Sequence, residues 1–439
     1  MTTPIADFID RYIKHDAARF HMPGHKGAGS IEKFDITEIT GADVLYSAEG
    51  IIEESENNAS RLFGTAHTYF STEGSTLAIK AMLALVSKGK SRTVLAARNV
   101  HKAFVYGCAL LDLDVSWIYP ENPYHICACP VTGIDVKNAL SDMDTLPCAV
   151  YITSPDYLGN IADIEGIASV CREAGVPLLV DNAHGAYLKF LTPSRHPIDL
   201  GAAMCADSAH KTLPVLTGGA YLHVSKDYSQ YCKAARSALS LFASTSPSYL
   251  TLRSLDLCNR YLEAGYGKKL SECARKVSDI RKRLSLLGFV AEGDEAVKLT
   301  VNTAKAGYTG EEVAALLRKE NIECEFADSE YIVFMVTPEN NNADLERLLC
   351  AFEKIERREE IRPYAAEISK GTAVMSPREA ILSETEIVSV DNASGRVCAS
   401  PSVSCPPAVP IAISGEVIGE GEIAHFKKYG IEKIEVVKL

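Results

Sequence analysis

The stretch PLLVDNAHG, residues 177–185, decides the fold class, because an apolar strand stops abruptly at an acidic and polar turn. Short apolar runs that alternate with helical patterns, as found from about Thr65 to His223, are typical of a parallel sheet wrapped by helices. The pattern predicts an α/β domain with helices such as Leu77–Lys88 and Ile164–Ala174. The predicted strands are Thr93–Ala97, Val115–Tyr119, Ala149–Thr153, Leu178–Asp181 and Ala203–Asp207.

The composition is that of an ordinary globular protein. The chain has 439 residues, of which 47% are hydrophobic and 23% charged, and 45 basic against 57 acidic side chains give a net charge of -12. These values exclude wholesale disorder and suggest several domains or one large enzyme fold with an appendage. The acidic balance argues against nucleic acid as a partner, because binding phosphates needs clustered Lys and Arg.

The cysteines and the chain start indicate the compartment. The 13 cysteines are scattered and odd in number, which favours reduced thiols in a cytosol. Cys127 and Cys129 stand one residue apart with no second pair to complete a zinc site, so we expect no metal. The polar start and the lack of a run of ~18 uncharged apolar residues predict a cytoplasmic protein that does not enter a membrane.

The chain divides into four predicted segments. An N-terminal segment (1–60) precedes a large domain (61–287), whose last part, Ser248–Leu287, has the long helical pattern of a connector. A small α+β domain (288–362) follows, and the Pro- and Gly-rich end (363–439) predicts a module of short strands.

Ligands of open α/β sheets lie beyond the carboxyl ends of the strands, so polar residues at those ends are the best candidates for a site. The first candidate is the stretch 71–76, directly before the helix predicted from Leu77. Ser75 or Thr76 can cap this helix, and its free N–H groups suit a phosphate. The alternative is an ordinary cap without a ligand.

Three further places follow predicted strands. His101 comes after Thr93–Ala97, where a structural hydrogen bond is the alternative to catalysis. Asp181 ends the strand PLLV, and a buried carboxylate there needs a donor or a cation, although a structural cap also meets that need. Lys211 follows Asp207 within the segment SAHKTL, where a lysine can also simply point into solvent.

Together these places resemble a fold-type I pyridoxal-phosphate enzyme and, more narrowly, the Orn/Lys/Arg decarboxylase family. The C-terminal segments SPREAIL (376–382) and CPPAVPIAISGE (405–416) also resemble that family, which usually has Tyr-Pro-Pro-Gly at 405–408 and Pro-Gly-Glu at 414–416. The other matching segments are HMPGHKG (21–27), DITEITGADVL (35–45), LFGTAHTYFSTEGST (62–76), SPDYLG (154–159), DNAHG (181–185) and SAHKTL (208–213).

The resemblance implies a fold-type I, transferase-like large domain with a mainly parallel seven-stranded sheet, and pyridoxal phosphate as cofactor. It implies that Lys211 forms the Schiff base with the cofactor, that Asp181 pairs with the pyridine nitrogen and that His101 stacks on the ring. The remaining residues implied at the cofactor are Gly74, Ser75, Thr76, Ala183, His184, Ser208 and His210.

The activity that the resemblance implies is decarboxylation of a basic L-amino acid, with arginine first and lysine or ornithine next. Another fold-type I reaction, transamination or β-elimination, and a non-catalytic regulatory relative are the alternatives. The chain begins close to HMPGHKG, so we expect it to lack the N-terminal regulatory-like domain of larger relatives and to form a homodimer. Glu416, Asp43 and Glu49 are candidates for recognising the substrate's distal cation, with capping or solvated roles as the alternatives.

Overall fold

The structure is a computed structural model that describes residues 1–89, 91–119, 125–362, 370–401 and 407–438. None of the helices within these ranges is long and apolar enough to cross a membrane. The α-helices there are α1 (Pro4–Lys14), α2 (Ile51–Phe63), α3 (Gly74–Val86), α4 (Lys102–Leu111), α5 (Gly133–Ser141), α6 (Ile164–Ala174), α7 (Ala209–Thr212), α8 (Cys232–Ser240), α9 (Tyr249–Glu263), α10 (Tyr266–Leu286), α11 (Gly310–Arg318), α12 (Asn342–Glu353), α13 (Pro377–Leu382) and α14 (Glu420–Lys428).

The strands of the described residues form one large sheet and three smaller ones. The strands are β1 (His67–Ser71), β2 (Thr93–Ala97), β3 (Asp114–Ile118), β4 (Ala149–Thr153), β5 (Leu178–Asp181), β6 (Met204–Asp207), β7 (Ala220–Val224), β8 (Val290–Glu292), β9 (Lys298–Asn302), β10 (Phe326–Ala327), β11 (Tyr331–Met335), β12 (Thr372–Ala373), β13 (Thr385–Ser389), β14 (Glu416–Val417) and β15 (Lys433–Val437). The large sheet has seven strands in the order β1-β7-β6-β5-β4-β2-β3.

The predicted α/β class and the seven-stranded, mostly parallel sheet are confirmed. β2 pairs with β3, and β5 with β6, in parallel register. The strands β1 and β7 were not predicted, and β7 runs antiparallel to both of its neighbours. The long helical stretch predicted over 248–287 is present as two helices, α9 and α10.

By compactness the chain divides into two units, each assembled from separate stretches. The first contains residues 1–91, 145–152 and 164–268, and the second contains 92–144, 153–163 and 269–439. Packing therefore does not follow chain order, and the boundaries expected near 60, 287 and 362 stay a prediction.

The first unit is built around helix α3, which packs on β6 and β7. Nearly every residue of α3 from Leu77 onward is buried, which is the pattern of a helix enclosed by protein on all sides. Helices α1, α2 and α9 pack on one another, and α2 also covers β1. Because α3 is buried along its length, its N-terminus is held in place at one edge of the sheet.

The second unit contains a four-stranded antiparallel sheet in the order β10-β11-β9-β8 and the two short sheets β12-β14 and β13-β15. One hydrophobic cluster connects residues that are far apart in sequence, including Ile126, Leu158, Phe326, Ile411 and Phe426. The small α+β part and the C-terminal module therefore share a core.

Candidate active site

The carboxyl ends of three strands lie at one edge of the large sheet. β5 and β6 are parallel, with Val180 opposite Cys205 and Asp181 opposite Ala206. Because β7 is antiparallel to both β6 and β1, strand β1 runs in the same direction as β6. The polar residues that follow these strands therefore share one edge, the place where α/β sheets bind ligands.

Helix α3 begins at Gly74, three residues earlier than predicted. Gly74 has a φ of +71°, which a residue with a side chain would adopt only with strain. The prediction that Ser75 or Thr76 caps the helix is wrong, because both lie inside its first turn. The N-cap is Glu73, whose carboxylate accepts the N–H of Ser244 at 2.8 Å and makes no cap hydrogen bond. A helix start of this kind leaves backbone N–H groups for an anion.

Two residues expected around a phosphate are in direct contact. The hydroxyl of Ser208 donates to Oγ of Ser75 at 2.8 Å, which joins the segment after β6 to the start of α3. His210, two residues further on, donates from Nδ1 to the carbonyl oxygen of Gly219 at 3.0 Å. The structure therefore brings Ser75, Ser208 and the first turn of α3 together.

Lys211 lies in the single-turn helix α7, just after β6. Its Nζ lies 3.0 Å from Nε2 of His184, in the turn after β5. His184 is buried and Lys211 is half-buried, so the amine is held at the sheet edge. A lysine amine held in this way is a suitable nucleophile for a carbonyl group.

Asp181 presents a buried carboxylate, with only 2% of the residue exposed. The carboxylate accepts the hydroxyl of Tyr151 at 3.3 Å and the N–H of Ala183 at 3.2 Å. Burial raises the pKa of Asp181, against the opposing effects of the Lys211 charge and of these two hydrogen bonds. Such a carboxylate is stabilised further by a cation placed against it.

These residues fit pyridoxal phosphate. The carboxylate of Asp181 suits a protonated pyridine nitrogen, the amine of Lys211 suits the aldehyde and the first turn of α3 suits the phosphate. Each of the three groups has a partner of the right chemical kind in this structure.

His101 belongs to the second unit, where it is the N-cap of helix α4. Its Nδ1 accepts the N–H of Ala103 at 3.1 Å. This contact is the structural hydrogen bond that the sequence left open as an alternative. The stacking role of His101 stays a prediction.

The carboxylates considered for substrate recognition have protein partners. Asp43 accepts four backbone N–H groups around the start of α2. Burial acts to raise its pKa, but these hydrogen bonds hold the pKa of Asp43 below the ordinary value. Glu416 is buried, accepts the N–H of Ile413 at 3.0 Å and lies 3.9 Å from the guanidinium of Arg98. Glu49 is exposed.

The sequence interpretation missed two features of the site. Tyr151 lies within a buried strand, and the burial of its polar hydroxyl was the signal that a partner had to be near. The second feature is a buried group of His196, Asp207 and His223, whose ligand atoms lie within 4.8 Å of one another. Cys127 and Cys129, the pair considered for a metal, are buried free thiols, and Cys405 lies outside the described residues.

The mostly parallel seven-stranded sheet, with a lysine and a buried aspartate at one of its edges, is that of a fold-type I α/β enzyme. The chain belongs to the Orn/Lys/Arg decarboxylase family. The major domain of that family matches residues 3–299, and its C-terminal domain matches residues 364–431.

Relatives and solved structures agree with this membership. The chain is 30% identical to the arginine decarboxylase of Halalkalibacterium halodurans, over 97% of this chain and 93% of that protein. The identity is also 30% to the arginine decarboxylase of Bacillus subtilis (strain 168), with the same coverage. The fold is similar to that of the Francisella novicida lysine decarboxylase, with a TM-score of 0.83 and 16% identity over 99% of this chain and 81% of that one. The protein is thus a decarboxylase of a basic amino acid.

Proposed function

We propose that the protein is an arginine decarboxylase that releases CO2 from L-arginine and leaves agmatine, a polyamine precursor. The choice of arginine rests on the two arginine decarboxylases that align with nearly the whole chain. Lysine and ornithine, which give cadaverine and putrescine, come next. The observation that carries the proposal is the buried carboxylate of Asp181 on the same sheet edge as the amine of Lys211.

The cofactor in this proposal is pyridoxal phosphate, which supplies an electron sink for the bond that breaks at Cα. Lys211 would hold the cofactor covalently, and Asp181 would hold a proton at the ring nitrogen. The phosphate-binding residues would share the start of α3 and the segment after β6, and they are Gly74, Ser75, Thr76, Ser208 and His210.

Asp181 would act through its charge. Burial disfavours the ionised form of the Asp181 carboxylate. In this buried place the attraction between the carboxylate and a protonated ring nitrogen would be stronger than it is for an exposed acid. Tyr151 and the N–H of Ala183 hold the carboxylate in one orientation. Asp181 would therefore hold the proton at the ring nitrogen throughout the reaction.

His184 would keep the amine of Lys211 at the sheet edge. The separation of 3.0 Å between Nζ and Nε2 is that of a hydrogen bond, and one of the two groups must supply the proton. A neutral imidazole can accept from the amine or donate to it, so His184 is suited to move a proton to or from Lys211. His101 would stack on the cofactor ring, as the family resemblance implies.

A homodimer and a cytoplasmic location complete the proposal. The dimer rests on the resemblance to fold-type I enzymes. The location rests on the 13 cysteines, which are scattered along the sequence without the regular spacing of a disulfide-bonded protein.

The test is a panel of CO2-release measurements on the wild-type protein with pyridoxal phosphate. The substrates are arginine, lysine, ornithine, one neutral amino acid and one aromatic amino acid, and Lys211→Ala is the inactive control. We expect the highest kcat/KM for arginine, because two arginine decarboxylases are 30% identical to this chain over 97% of its residues. CO2 release from a non-basic amino acid alone, or amino transfer without CO2, would contradict the proposal.

A further inference from the structure

Asp207, the last residue of β6, is fully buried, and its carboxylate accepts from four side chains. One oxygen lies 3.0 Å from Nε2 of His196 and 3.2 Å from Nε2 of His223. The other oxygen accepts Nδ2 of Asn182 at 2.8 Å and Sγ of Cys205 at 3.1 Å. A buried carboxylate with donors on both oxygens is held in one orientation.

The hydrogen bonds of the two rings identify the cluster as a hydrogen-bonded network. Nδ1 of His196 accepts the N–H of Ile198 at 3.4 Å, so Nε2 carries the ring proton and donates to Asp207. Nδ1 of His223 lies 2.9 Å from the hydroxyl of Thr68, which can donate to it in the same way. With both Nε2 atoms protonated, neither ring offers Nε2 to a metal.

The contacts of this network favour an ionised Asp207. Burial lowers the pKa of His223, against the opposing effect of Asp207. Burial also acts to raise the pKa of Asp207, but His196 and His223 together hold that pKa well below the ordinary value. Asp207 therefore places a fixed negative charge below the sheet edge.

Asn182 connects this network to the site. It follows Asp181 directly, and its N–H donates to the carbonyl oxygen of Ala206 at 2.9 Å. The backbone carbonyl oxygen of Asn182 accepts the N–H of Gly185 at 2.8 Å, and this hydrogen bond closes the turn that contains His184. A Cβ at Gly185 would lie 2.0 Å from Oδ1 of Asn182, so the turn is packed tightly around this side chain.

We propose that Asp207 is a positioning residue for the decarboxylation, and that through Asn182 it fixes the turn carrying Asp181 and His184 relative to Lys211. The inference rests on the proposed function, because it assigns the network a purpose in that reaction. Asp207 acts on the turn through its hydrogen bond with Asn182 and on Asp181 through its charge.

Two variants test the proposal, and a third is the control. Asp207→Asn removes the charge, and Asn182→Ala removes the connection while Asp207 keeps its other three donors. The control is Asp328→Asn in the second unit, because Asp328 is also buried and also accepts from a histidine, Nε2 of His125 at 2.7 Å. All three variants lose a buried hydrogen bond, so thermal melting alone does not separate them.

The first readout needs no cofactor. The rate of Lys211 acylation in cofactor-free protein is measured against pH by peptide mass spectrometry. We expect the midpoint of the acylation rate against pH to move to lower pH in both variants. In Asn182→Ala the carboxylate charge near Lys211 is displaced, and in Asp207→Asn it is lost. The midpoint of Asp328→Asn should equal that of the wild type.

The second readout is CO2 release with cofactor and arginine. We expect kcat to fall about tenfold in Asn182→Ala with KM changed less than about twofold, since positioning acts on the reacting geometry. If Asp207→Asn does not fold, Asn182→Ala decides the question. If Asn182→Ala has the same acylation midpoint and the same kcat as the wild type, the positioning role of Asp207 is overturned. A wild-type protein that releases no CO2 would instead contradict the proposed function, and the acylation midpoints would still decide the role of Asn182 and Asp207.

Discussion

Asp181 is the last residue of β5. Its carboxylate therefore lies at the edge of the sheet where α/β proteins bind ligands. Its place at this edge could be predicted, because the apolar run PLLV stops at an acid. Its partners could not, because Tyr151 lies thirty residues away on β4 and meets Asp181 only through the sheet. The local sequence thus predicts where the Asp181 carboxylate lies, whereas its orientation depends on tertiary contacts.

For Asp181→Asn we predict that the cofactor still binds while turnover falls by at least ~10- to 100-fold. The amide can form a hydrogen bond but cannot hold the positive charge on the ring nitrogen, and a charge-assisted contact is worth about 1.5–3 kcal/mol. Absorbance titration measures binding and CO2 release measures turnover. The matched control is Asp227→Asn, an exposed aspartate of the same unit, which should behave as wild type. Normal turnover in Asp181→Asn would remove its role at the ring nitrogen.

At the scale of single elements, helix α3 shows where boundaries escape prediction. The apolar pattern begins at Leu77, but the backbone turns into the helix at Gly74, because glycine adopts the positive φ that the turn needs. A polar first turn has no apolar periodicity, so pattern alone starts the helix too late. Ser75 and Thr76 consequently belong to the helix and do not precede it.

Replacing Ser75 and Thr76 together with alanine should weaken cofactor affinity on the order of tenfold. The two hydroxyls would each contribute a neutral hydrogen bond of about 0.5–1.5 kcal/mol, while the backbone N–H groups of α3 remain. Fluorescence titration of cofactor-free protein measures this change. Ser87→Ala, just beyond the other end of the same helix, is the control and should leave affinity unchanged. Equal affinity in both variants would place the phosphate elsewhere.

Helices α1, α2 and α9 are joined by one buried acid, Asp256. Its carboxylate accepts the N–H of Ala6 at 2.9 Å and the hydroxyl of Ser55 at 2.6 Å. Burial raises the pKa of Asp256 to about 6, against the opposing effect of these hydrogen bonds. The folded state therefore binds this proton more tightly than the unfolded state does.

The contribution of Asp256 to stability should fall as the pH rises through this range. Between about pH 4 and pH 6 the folded protein holds more protons at Asp256 than the unfolded chain does, so this contribution to the free energy of unfolding decreases with pH, by about 3 kcal/mol for a shift of about two pH units. In Asp256→Asn this part of the pH dependence should disappear. Urea denaturation of wild type and variant at pH 4 and pH 7 measures it, with the exposed Asp279→Asn as control. Parallel pH profiles for wild type and Asp256→Asn would contradict the raised pKa.

At the scale of the whole molecule, the α/β class followed from the alternation of apolar runs and helical patterns, and three strands, β2, β4 and β5, have the predicted bounds. The strands β1 and β7 could not be predicted, because HTYFS and AYLHV contain polar residues that only the buried interior satisfies. His223 is an example, since its partners Thr68 and Asp207 come from two other strands.

The same limit applies to the C-terminal module. Its core includes Ile126 and Leu158 beside Ile411 and Phe426, so residues up to 300 positions apart among these four share one cluster. No local pattern contains that information. The pairing of Glu416 with Arg98 also joins residues that are far apart in sequence. The sequence alone therefore made Glu416 a candidate for recognising the substrate, whereas the structure places it beside an arginine of its own chain.

Locating the cofactor on the chain tests the proposed active site most directly. Wild-type protein is mixed with pyridoxal phosphate, reduced with borohydride, digested and mapped by mass spectrometry, with Lys211→Ala treated in parallel. We expect one stoichiometric label, on Lys211, and none in the variant. A stoichiometric label on another lysine, or equal labelling of wild type and variant, would contradict the proposed active site.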